Sequence, residues 1–429
     1  MRLTLVASKP TDSVTFGFLP AAARLGLDVV LVTDQPAQQQ RALARARLTP
    51  RPGCAPPDAG QLDSGQLADT GQVRIVDCDV WDARLLVSSI AGLPAQDAIF
   101  SNSDHLQTQT ALAAAYFDVP GKDWRSAMRA KNKPLMRRRL AGMGIEHVAA
   151  TEIHPGDRHP VPGLSYPVVL KPAEGVASED VVLVRDSLEL KQQCALIFAR
   201  RPGEGLLAER YLPGRLHTLE TLSDGTASWV LGGFRTRLSP PPFFIEERLT
   251  WDAAAAQAAS EHVTRALAAL GATFGACHTE YVIDQGHPPA LIEVNDRIIG
   301  DHCDFLLSDL LGVDLFERVL RLYLGEPLPP GPPPGPAPDR AHAVIDYVVA
   351  ERSGVLAASP RAGARLSAEP GVLLSYRPLY EEGDRIEVTH TNRDYLGVIT
   401  AIGPDAAAVS RSVADLRAAE DWKIAESRW

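Results

Sequence analysis

The stretch that decides the fold is residues 271–300, which read GATFGACHTEYVIDQGHPPALIEVNDRIIG. Strand-forming residues over 276–284 and over 290–295 flank a breaker that contains Gly and Pro, which predicts two strands joined by a tight turn. Because successive side chains in a strand point to opposite faces, His278 and Glu280 share one face of the first strand.

The register of this hairpin is predicted from its turn. If the turn closes on residues 286–287, Asp284 pairs with Pro289, and counting back places Glu280 opposite Glu293. Like charges at directly opposite positions destabilise a sheet, so a positive group is expected between the two carboxylates.

The second strand is predicted to place Leu291, Glu293, Asn295 and Arg297 on one face. Directly opposite Cβ atoms lie ~4.5–5.5 Å apart, and paired catalytic metal ions lie ~3.5–4 Å apart. Two carboxylates and an amide oxygen therefore suit one or two Mg²⁺ ions, which complete their shells with water and phosphate oxygens. The alternative is a solvated sheet face, but the apolar run around Glu293 is typical of a buried strand, where carboxylates need partners.

The hairpin resembles the metal-binding hairpin of the ATP-grasp superfamily, through Gly-x-x-His-x-Glu followed by Ile-Glu-Val-Asn-x-Arg-x-x-Gly. The resemblance implies that Glu280, Glu293 and Asn295 hold Mg²⁺ (or Mn²⁺) on the phosphates of ATP. It also implies that Arg297 contacts the reacting phosphoryl group. The chain departs from the pattern at Asp296, where small residues or proline are common in the family.

Length and composition are those of an ordinary globular protein. The 429 residues suffice for two or more domains, with 45% hydrophobic and 22% charged residues. A net charge of −10 argues against a nucleic acid or an anionic membrane as the main partner. The start lacks the apolar run of a signal peptide, and the five scattered cysteines are expected to be free thiols, so a cytoplasmic location is predicted.

The N-terminal part predicts a parallel sheet, because a strand, a helix and a strand follow one another as a βαβ unit. Residues 101–104, Ser-Asn-Ser-Asp, follow a predicted strand at the edge where open α/β sheets bind ligands. Helix capping by Ser103 or Asp104 is an equal alternative. Strands are predicted over 3–7, 28–33, 73–76 and 97–101, a helix over 16–25, and a helix and irregular loop over 36–72.

Residues 131–140 contain five basic side chains, for which a solvated helix face is the usual explanation. The order Asn-Lys-x-x-x-Arg-x-x-Leu resembles the ATP-grasp segment whose lysine touches the nucleotide phosphates. It selects Lys133, with Lys131 as the second choice.

Lys171 ends the apolar run 168–170, a position unusual for a surface lysine, and resembles the second phosphate lysine of ATP-grasp enzymes. The following loop, over residues 173–178 and including Ser178, would cover the phosphates with its backbone N–H groups. It has only Gly175 where the family is richer in glycine.

The strand predicted over 206–212 resembles the hinge strand that lines the adenine pocket. The resemblance implies that Glu209, Tyr211 and Leu212 contact the nucleotide. Leu216 stands where the family often has an acidic residue for the ribose, which leaves His217 and Glu220 as substitutes.

Arg235 and Arg237 lie in a strand predicted over 229–236 and its end, and are candidates, with His278, for binding the substrate. An arginine fork matches a carboxylate in two places. Because the two arginines alternate with Thr236, a surface role is expected for one of them.

The resemblance implies an α/β ATP-grasp fold. It also implies an enzyme that makes amides from a carboxylate and an amine through an acyl phosphate. The size of the chain and the spacing of His-x-Glu and Glu-x-Asn-x-Arg are most similar to those of L-amino-acid ligases. A biotin-carboxylase-like enzyme, a purine-pathway enzyme and a non-catalytic nucleotide sensor are the alternatives. Small-molecule substrates are expected as partners, and a homodimer is compatible with the sequence. The expected divisions are an N-terminal α/β domain (1–120), a mobile lid and nucleotide subdomain (121–215), a mixed-sheet catalytic subdomain (216–326), a Pro-rich linker (327–339) and an α+β module (340–429).

Overall fold

The protein is described by a computed structural model over residues 1–46, 73–157, 164–284 and 287–426. The irregular loop predicted over 47–72, Gly286 of the predicted turn and Cys54 lie outside the described residues. Among the described residues no helix is long and apolar enough to cross a membrane.

The N-terminal part is a four-stranded parallel sheet in the order β3-β2-β1-β4, as the βαβ pattern predicted. A π-helical turn, Ser13–Phe18, precedes its first helix. The elements are β1 (Arg2–Val6), α1 (Leu19–Arg24), β2 (Asp28–Thr33), α2 (Pro36–Ala46), β3 (Arg74–Asp77), α3 (Ala83–Ala91), β4 (Ala98–Phe100) and α4 (Gln107–Tyr116).

The next part contains a four-stranded antiparallel sheet in the order β5-β8-β6-β7. Its elements are α5 (Trp124–Lys131), α6 (Lys133–Gly142), β5 (Ala150–Ile153), β6 (Val168–Pro172), β7 (Val182–Val184), α7 (Ser187–Arg200) and β8 (Leu206–Arg210). The predicted strands around Lys171 and Glu209 are therefore neighbours, β6 and β8.

A ten-stranded sheet carries the hairpin, in the order β14-β13-β9-β11-β12-β15-β20-β18-β17, with β10 paired to β9. Its first part consists of β9 (Arg215–Asp224), β10 (Ser228–Gly232), β11 (Phe234–Leu238), β12 (Glu246–Trp251), α8 (Ala253–Leu270), β13 (Phe274–Ile283), β14 (Ala290–Asn295), α9 (Cys303–Leu311) and α10 (Leu315–Tyr323).

The C-terminal residues complete this sheet, because β15 pairs with β12. A three-stranded sheet, β19-β16-β21, lies beside it. The elements are β15 (His342–Val349), β16 (Gly354–Ala358), β17 (Gly363–Leu366), β18 (Leu373–Pro378), β19 (Arg385–Ile386), β20 (Tyr395–Gly403), α11 (Ala406–Ala419) and β21 (Lys423–Ala425).

Two predicted elements are divided in the structure. The strand predicted over 229–236 breaks between β10 and β11, where Gly232 has a φ of 125°. Only glycine fits at the neighbouring position 233, because a Cβ there would lie 1.9 Å from the carbonyl oxygen of Thr218. The helix predicted over 306–324 breaks between α9 and α10 at Gly312, which ends α9 in the left-handed region with φ of 64°.

The largest hydrophobic core joins the N-terminal sheet to the large sheet through α10. The ring of Phe316 packs edge-on against Phe18, with ring centroids 5.1 Å apart. Gly17 is required at this contact, since a Cβ there would lie 2.3 Å from Phe316. This packing holds the carboxyl end of β4 beside the hairpin.

Candidate active site

The hairpin of β13 and β14 places the two predicted glutamates side by side, although the pairs next to the turn differ by one residue from the predicted register. Glu280 pairs directly with Glu293, and His278 pairs with Asn295. The Glu293 side chain is 19% exposed, whereas Asn295 is buried. These oxygen donors therefore lie on one side of the sheet.

A β-bulge interrupts the hairpin next to these glutamates. After Glu280 the pairing shifts, so that Tyr281 pairs with Leu291 and Ile292 is the extra residue. The prediction that Leu291 shares a face with Glu293 is therefore wrong. Leu291 packs with Tyr281 in the core beneath the sheet.

Lys133 supplies the positive group expected between the two glutamates. It starts α6, directly after Asn132, whose side-chain oxygen accepts a hydrogen bond from the N–H of Leu135. Lys133 Nζ donates to Glu293 Oε1 at 2.9 Å and to the carbonyl of Gly175 at 3.2 Å. Burial opposes its charge, but the carboxylate of Glu293 outweighs burial and raises the pKa of Lys133.

Lys131, the second choice, pairs with Asp104 instead. Ser103 makes no capping hydrogen bond with its side chain, so the capping alternative is not supported for these residues. Burial raises the pKa of Asp104, but Lys131 and Arg297 outweigh it and lower that pKa to about 2. An ionised Asp104 thus faces the arginine that follows β14.

A buried charge network connects β6, β8 and α6. Glu209 accepts from Arg137 Nε at 2.9 Å and pairs with Lys171. Arg137 also donates to Glu146 at 2.6 Å, and Glu146 accepts from the backbone N–H of Leu291. Although burial opposes ionisation, Arg137 and Lys171 lower the pKa of Glu209 to about 2. Glu209 therefore holds Lys171 in place.

His278 lies between two carboxylates. Its Nδ1 is 2.9 Å from Glu220 Oε1, and its Nε2 is 3.4 Å from Glu280 Oε1. Burial lowers its pKa, but the two carboxylates outweigh burial and raise the pKa of His278 to about 10. These contacts make His278 a positioning residue for Glu280. Glu220, which the sequence offered as a ribose contact, is instead the partner of His278.

Glu246, at the start of β12, is a third carboxylate near the hairpin. Burial and the charge of Glu280 raise its pKa to about 8. Asn392 binds it through both ends of its amide, with Nδ2 donating to Glu246 Oε1 and Oδ1 accepting from the backbone N–H of Glu246, each at 3.1 Å. These residues are 146 positions apart, so no sequence motif connects them.

The same C-terminal turn, residues 389–394, contacts the lid loop, residues 173–180. The backbone N–H of Asn392 donates to the carbonyl of Ala177 at 3.1 Å, and Arg393 pairs with Glu179. The lid loop also donates from Ser178 Oγ to the carbonyl of Phe244 at 2.8 Å. The lid loop is therefore fastened both to the C-terminal turn and to the segment before β12.

The backbone of the lid loop is strained at three residues that are not glycine. Ala177, Ser178 and Asp180 have φ values of 55°, 55° and 57°. Left-handed conformations at such residues cost of order 1–3 kcal/mol each and persist where surrounding contacts determine them. The contacts of the C-terminal turn are of that kind.

These elements enclose what we call the hairpin cavity, of about 130 Å³. Clefts for ligands typically hold about 300–1,000 Å³, so the hairpin cavity in this conformation is smaller than a typical ligand cleft. The lining residues include both apolar and charged side chains; those predicted from the sequence are Lys133, Lys171, Ser178, Glu209, Tyr211, Leu212, Glu280 and Glu293.

Three predicted residues lie on the opposite face of the sheet. Arg235 pairs with His217, and His217 pairs with Tyr281, so these side chains share one face of the sheet. Thr236 lies on the other face, which is the face of Glu280. His217 stacks on Tyr281 with ring centroids 5.9 Å apart. The structure thus does not support His217 as a ribose contact.

The substrate role predicted for Arg235 and Arg237 is likewise not supported. Residues two apart on a strand share a face, so both arginines point away from the hairpin cavity, and neither lines it. The expectation that only one of them lies at the surface was wrong, because both are exposed.

Asp296, the departure from the ATP-grasp pattern, has a structural partner. Its carboxylate is buried and pairs with the equally buried Lys122, which also donates to the carbonyl of Ala276 at 3.0 Å. This ion pair fixes the end of β14 against β13 without entering the hairpin cavity.

No family model matches the chain. A curated relative, an uncharacterized protein of Sinorhizobium fredii (y4rH), is 28% identical over 347 residues, which cover 72% of this chain. The match spans 64% of the relative's length.

Several solved structures share the architecture of the whole chain. An L-amino acid ligase from Bacillus licheniformis has a TM-score of 0.74 at 22% identity, covering 100% of this chain and 99% of the ligase. Phosphoribosylglycinamide synthetase from Anaerococcus prevotii has a TM-score of 0.66 at 12% identity, covering 99% of each chain. The biotin carboxylase domain of 2-oxoglutarate carboxylase from Hydrogenobacter thermophilus has a TM-score of 0.68 at 16% identity, covering 99% of this chain and 90% of the domain. The chain therefore has the fold of the ATP-grasp ligases, which confirms the resemblance drawn from the hairpin.

Proposed function

We propose that the chain is an ATP-dependent ligase that joins a small carboxylic acid or amino acid to an amine and releases ADP and phosphate. The observation that carries this proposal is the directly opposed pair Glu280 and Glu293, in a cavity that also receives the ammonium groups of Lys133 and Lys171. Such a set of opposite charges suits phosphates with a bound divalent cation.

The donor set fits Mg²⁺ or Mn²⁺. Glu280, Glu293 and Asn295 offer hard oxygen ligands. Lys133 donates to Glu293, and the charge of Glu280 also raises the pKa of Lys133. Among the described residues no three His, Cys, Asp or Glu side chains form a ready metal cluster. That is compatible with Mg²⁺, which takes few carboxylates and completes its shell with phosphate oxygens and water. Bound there, the cation would neutralise charge on the transferring phosphoryl group.

The reaction has two steps. A carboxylate oxygen of the first substrate attacks the γ-phosphorus of ATP, the bond from that phosphorus to the β-phosphate oxygen breaks, and ADP leaves. The nitrogen of the second substrate then attacks the acyl carbon, loses a proton and displaces phosphate, which forms the amide.

The residues of the chain contribute position and charge. We assign Lys133 and Lys171 to the phosphates, because each lines the hairpin cavity and is paired with a carboxylate, Glu293 and Glu209 respectively. We assign the nucleotide base to the part of the hairpin cavity that Tyr211 and Leu212 line. Preorganised charges in an enclosed site stabilise a transition state without reorganisation.

The solved structures support this proposal, and they also include an enzyme of one of the alternative classes. One similar protein is named an L-amino acid ligase, whereas the biotin carboxylase domain was solved with MgADP and bicarbonate. A carboxylase would hydrolyse ATP with bicarbonate alone, and a nucleotide sensor would release no ADP.

An ADP-release screen over pairs of amino acids and small carboxylic acids tests the proposal. With a carboxylate that supports ADP release, hydroxylamine should trap the acyl phosphate as a hydroxamate. A carboxylate labelled with ¹⁸O should pass label into inorganic phosphate. Label in AMP would indicate adenylation and contradict the proposal, as would ADP release that bicarbonate alone sustains.

The C-terminal turn gives a further prediction. Asn392→Ala removes both hydrogen bonds to Glu246 but keeps the backbone bond to Ala177, so the closed lid loses part of its support. We expect a roughly 5–30-fold weaker affinity for a non-hydrolysable ATP analogue with Mg²⁺, equivalent to the ~1–2 kcal/mol that such hydrogen bonds contribute. Calorimetry measures this affinity, and limited proteolysis of residues 173–180 measures lid opening.

The control for this prediction is Glu387→Ala, an exposed side chain a few residues before the C-terminal turn. It should leave nucleotide affinity and proteolysis unchanged. Equal effects of both substitutions, or none from Asn392→Ala, would show that the C-terminal turn does not support the closed lid.

A further inference from the structure

A second cavity, of about 640 Å³, lies behind the hairpin cavity, on the opposite face of the large sheet. We call it the arginine groove and define it by Arg215, Arg235, Arg237 and Arg248, which line it between β9, β11, β12, β15 and the start of α11. Its volume falls within the range of about 300–1,000 Å³ that is typical of small-molecule sites.

The arginines are arranged in a way that a sheet alone does not favour. Arg235 and Arg237 share a face of β11, and Arg237 pairs directly with Arg248 of β12. Like charges at directly opposite positions are destabilising. The same argument, applied to two glutamates, pointed to the hairpin cavity.

Only two of the four arginines are paired with an acidic residue among the described residues. Arg237 pairs with Glu247 at 3.1 Å and Arg248 with Asp346 at 2.6 Å. Arg215 and Arg235 have no ion-pair partner among the described residues, and no acidic residue is among those that line the groove. In a protein with a net charge of −10, this is a concentrated positive site.

The floor of the groove is apolar. Val344 and Val409 are buried among its lining residues, and Thr250 and Ser410 add hydroxyl groups. Guanidinium groups beside an aliphatic floor match an organic molecule with anionic groups better than an inorganic ion.

The groove is also connected to the hairpin cavity. Gly214, Leu216 and Leu238 line both. Gly214 leaves no room for adjustment, because a Cβ there would lie 2.4 Å from the carbonyl oxygen of Ile283 in β13. A ligand that shifts β9 or β11 therefore acts on the wall of the hairpin cavity.

We propose that the arginine groove binds a small phosphorylated organic molecule and that its occupancy changes the affinity of the hairpin cavity for nucleotide. The binding part does not depend on the proposed function, because Arg215 and Arg235 lie outside the hairpin cavity. The coupling part rests on nucleotide binding and is measured separately.

The experiment is calorimetric titration of the full chain with fructose 1,6-bisphosphate, with the hairpin cavity saturated by Mg²⁺ and a non-hydrolysable ATP analogue. We expect binding with a Kd below about 1 mM and, because the floor is apolar, binding at least about ten-fold weaker for inorganic phosphate. Arg215→Gln with Arg235→Gln should weaken bisphosphate binding by about ten-fold or more, as expected for lost charge-assisted hydrogen bonds.

Arg361→Gln is the matched control, since it removes the same charge from an exposed position away from the groove. Equal weakening in Arg361→Gln would mean non-specific charge attraction, and equal binding of inorganic phosphate would mean that no organic ligand is recognised. Either result would overturn the proposal. The absence of bisphosphate binding would also overturn it. If the double variant then dissociated a dimer, the groove would be an interface between copies of the chain.

The coupling has its own measurement. By linkage, bisphosphate must change nucleotide affinity by the same factor by which nucleotide changes bisphosphate affinity. We expect a change of about five-fold or more, the lower end of typical couplings. Unchanged nucleotide affinity at saturating bisphosphate, in a wild-type chain that binds both, would overturn the regulatory role.

Discussion

Glu293→Gln is expected to lower the rate of ADP formation by roughly 10²–10³-fold, the scale on which single transition-state contacts act. Glutamine retains an oxygen that can accept the hydrogen bond from Lys133, which Glu293 accepts at 2.9 Å. The substitution therefore removes one negative charge at nearly constant volume. Without that charge the cation and the phosphates lose a ligand, while Lys133 remains hydrogen-bonded.

Alanine at position 293 would be less informative. It would leave Lys133, which is 3% exposed, without its carboxylate partner, and an unpaired buried charge destabilises a protein by about 3–5 kcal/mol. Loss of activity in that variant could then reflect loss of folding.

The control is Asp284→Asn, which removes the same charge from the end of the same hairpin. Two readouts separate the metal role from a general charge effect: the Mg²⁺ concentration that gives half-maximal rate, and direct Mn²⁺ binding by electron paramagnetic resonance. Glu293→Gln should weaken Mn²⁺ binding, and Asp284→Asn should not. Normal Mn²⁺ binding and turnover in folded Glu293→Gln would refute the metal assignment.

Much of the fold follows from the sequence because local patterns carry it. The βαβ unit at the start and the strands around Lys171 and Glu209 are apolar runs bounded by breakers, and all occur as predicted. The pairing of Glu280 with Glu293 was also predicted, but the turn register used for it was wrong by one residue: Val282 pairs with Ala290 rather than Leu291, and the bulge at Ile292 offsets this error. Both glutamates lie on the turn-distal side of the bulge.

The bulge itself could not be predicted. Leu291 and Ile292 are both apolar, so a slip of one residue leaves the hydrophobic pattern of β14 unchanged. Only the packing of Leu291 on Tyr281 selects the observed arrangement. The breaks at Gly233 and Gly312 are similar, because each depends on a backbone contact or conformation within an otherwise regular pattern.

The candidate site likewise contains residues that the sequence predicted and residues that it did not. Lys133, Lys171 and Glu209 were identified from spacing and strand ends, and they meet in one cavity. Arg137 was used only as a landmark in the motif, although a buried arginine requires a carboxylate. Glu246 and Asn392 gave no signal, since their contact joins segments far apart in the chain.

The second large effect concerns Arg297. It follows β14 in a tight turn, with its N–H bonded to the carbonyl of Asn295 at 2.8 Å. Its guanidinium donates to the carbonyl of Ile298 at 2.9 Å, and its charge lowers the pKa values of Asp104 and Glu280. Among the described residues most of its donors therefore have no partner, and the guanidinium lies near the hairpin carboxylate Glu280 and Asp104 at the end of the N-terminal sheet.

We expect Arg297→Ala to lower kcat by roughly 10²–10³-fold while raising the KM for ATP by less than about ten-fold. The physical reason is that charge on the transferring phosphoryl group and acyl phosphate develops during the reaction, so the contact strengthens in the transition state. Lys171→Ala should show the opposite balance, with the larger change in KM, because Lys171 is held by Glu209 as a fixed point charge for the bound phosphates.

Arg297→Lys distinguishes a fork from a charge. Lysine retains the positive charge but cannot present two parallel N–H groups, so we expect it to restore only part of kcat. Steady-state kinetics of the three variants, with thermal unfolding as a check on folding, provide the measurement. If Arg297→Ala raised the KM for ATP as much as it lowered kcat, Arg297 would contribute uniform binding of ATP rather than transition-state stabilisation. If Arg297→Lys restored kcat completely, the charge alone would suffice, and the position of Arg297 between Asp104 and Glu280 would serve electrostatic balance rather than phosphoryl transfer.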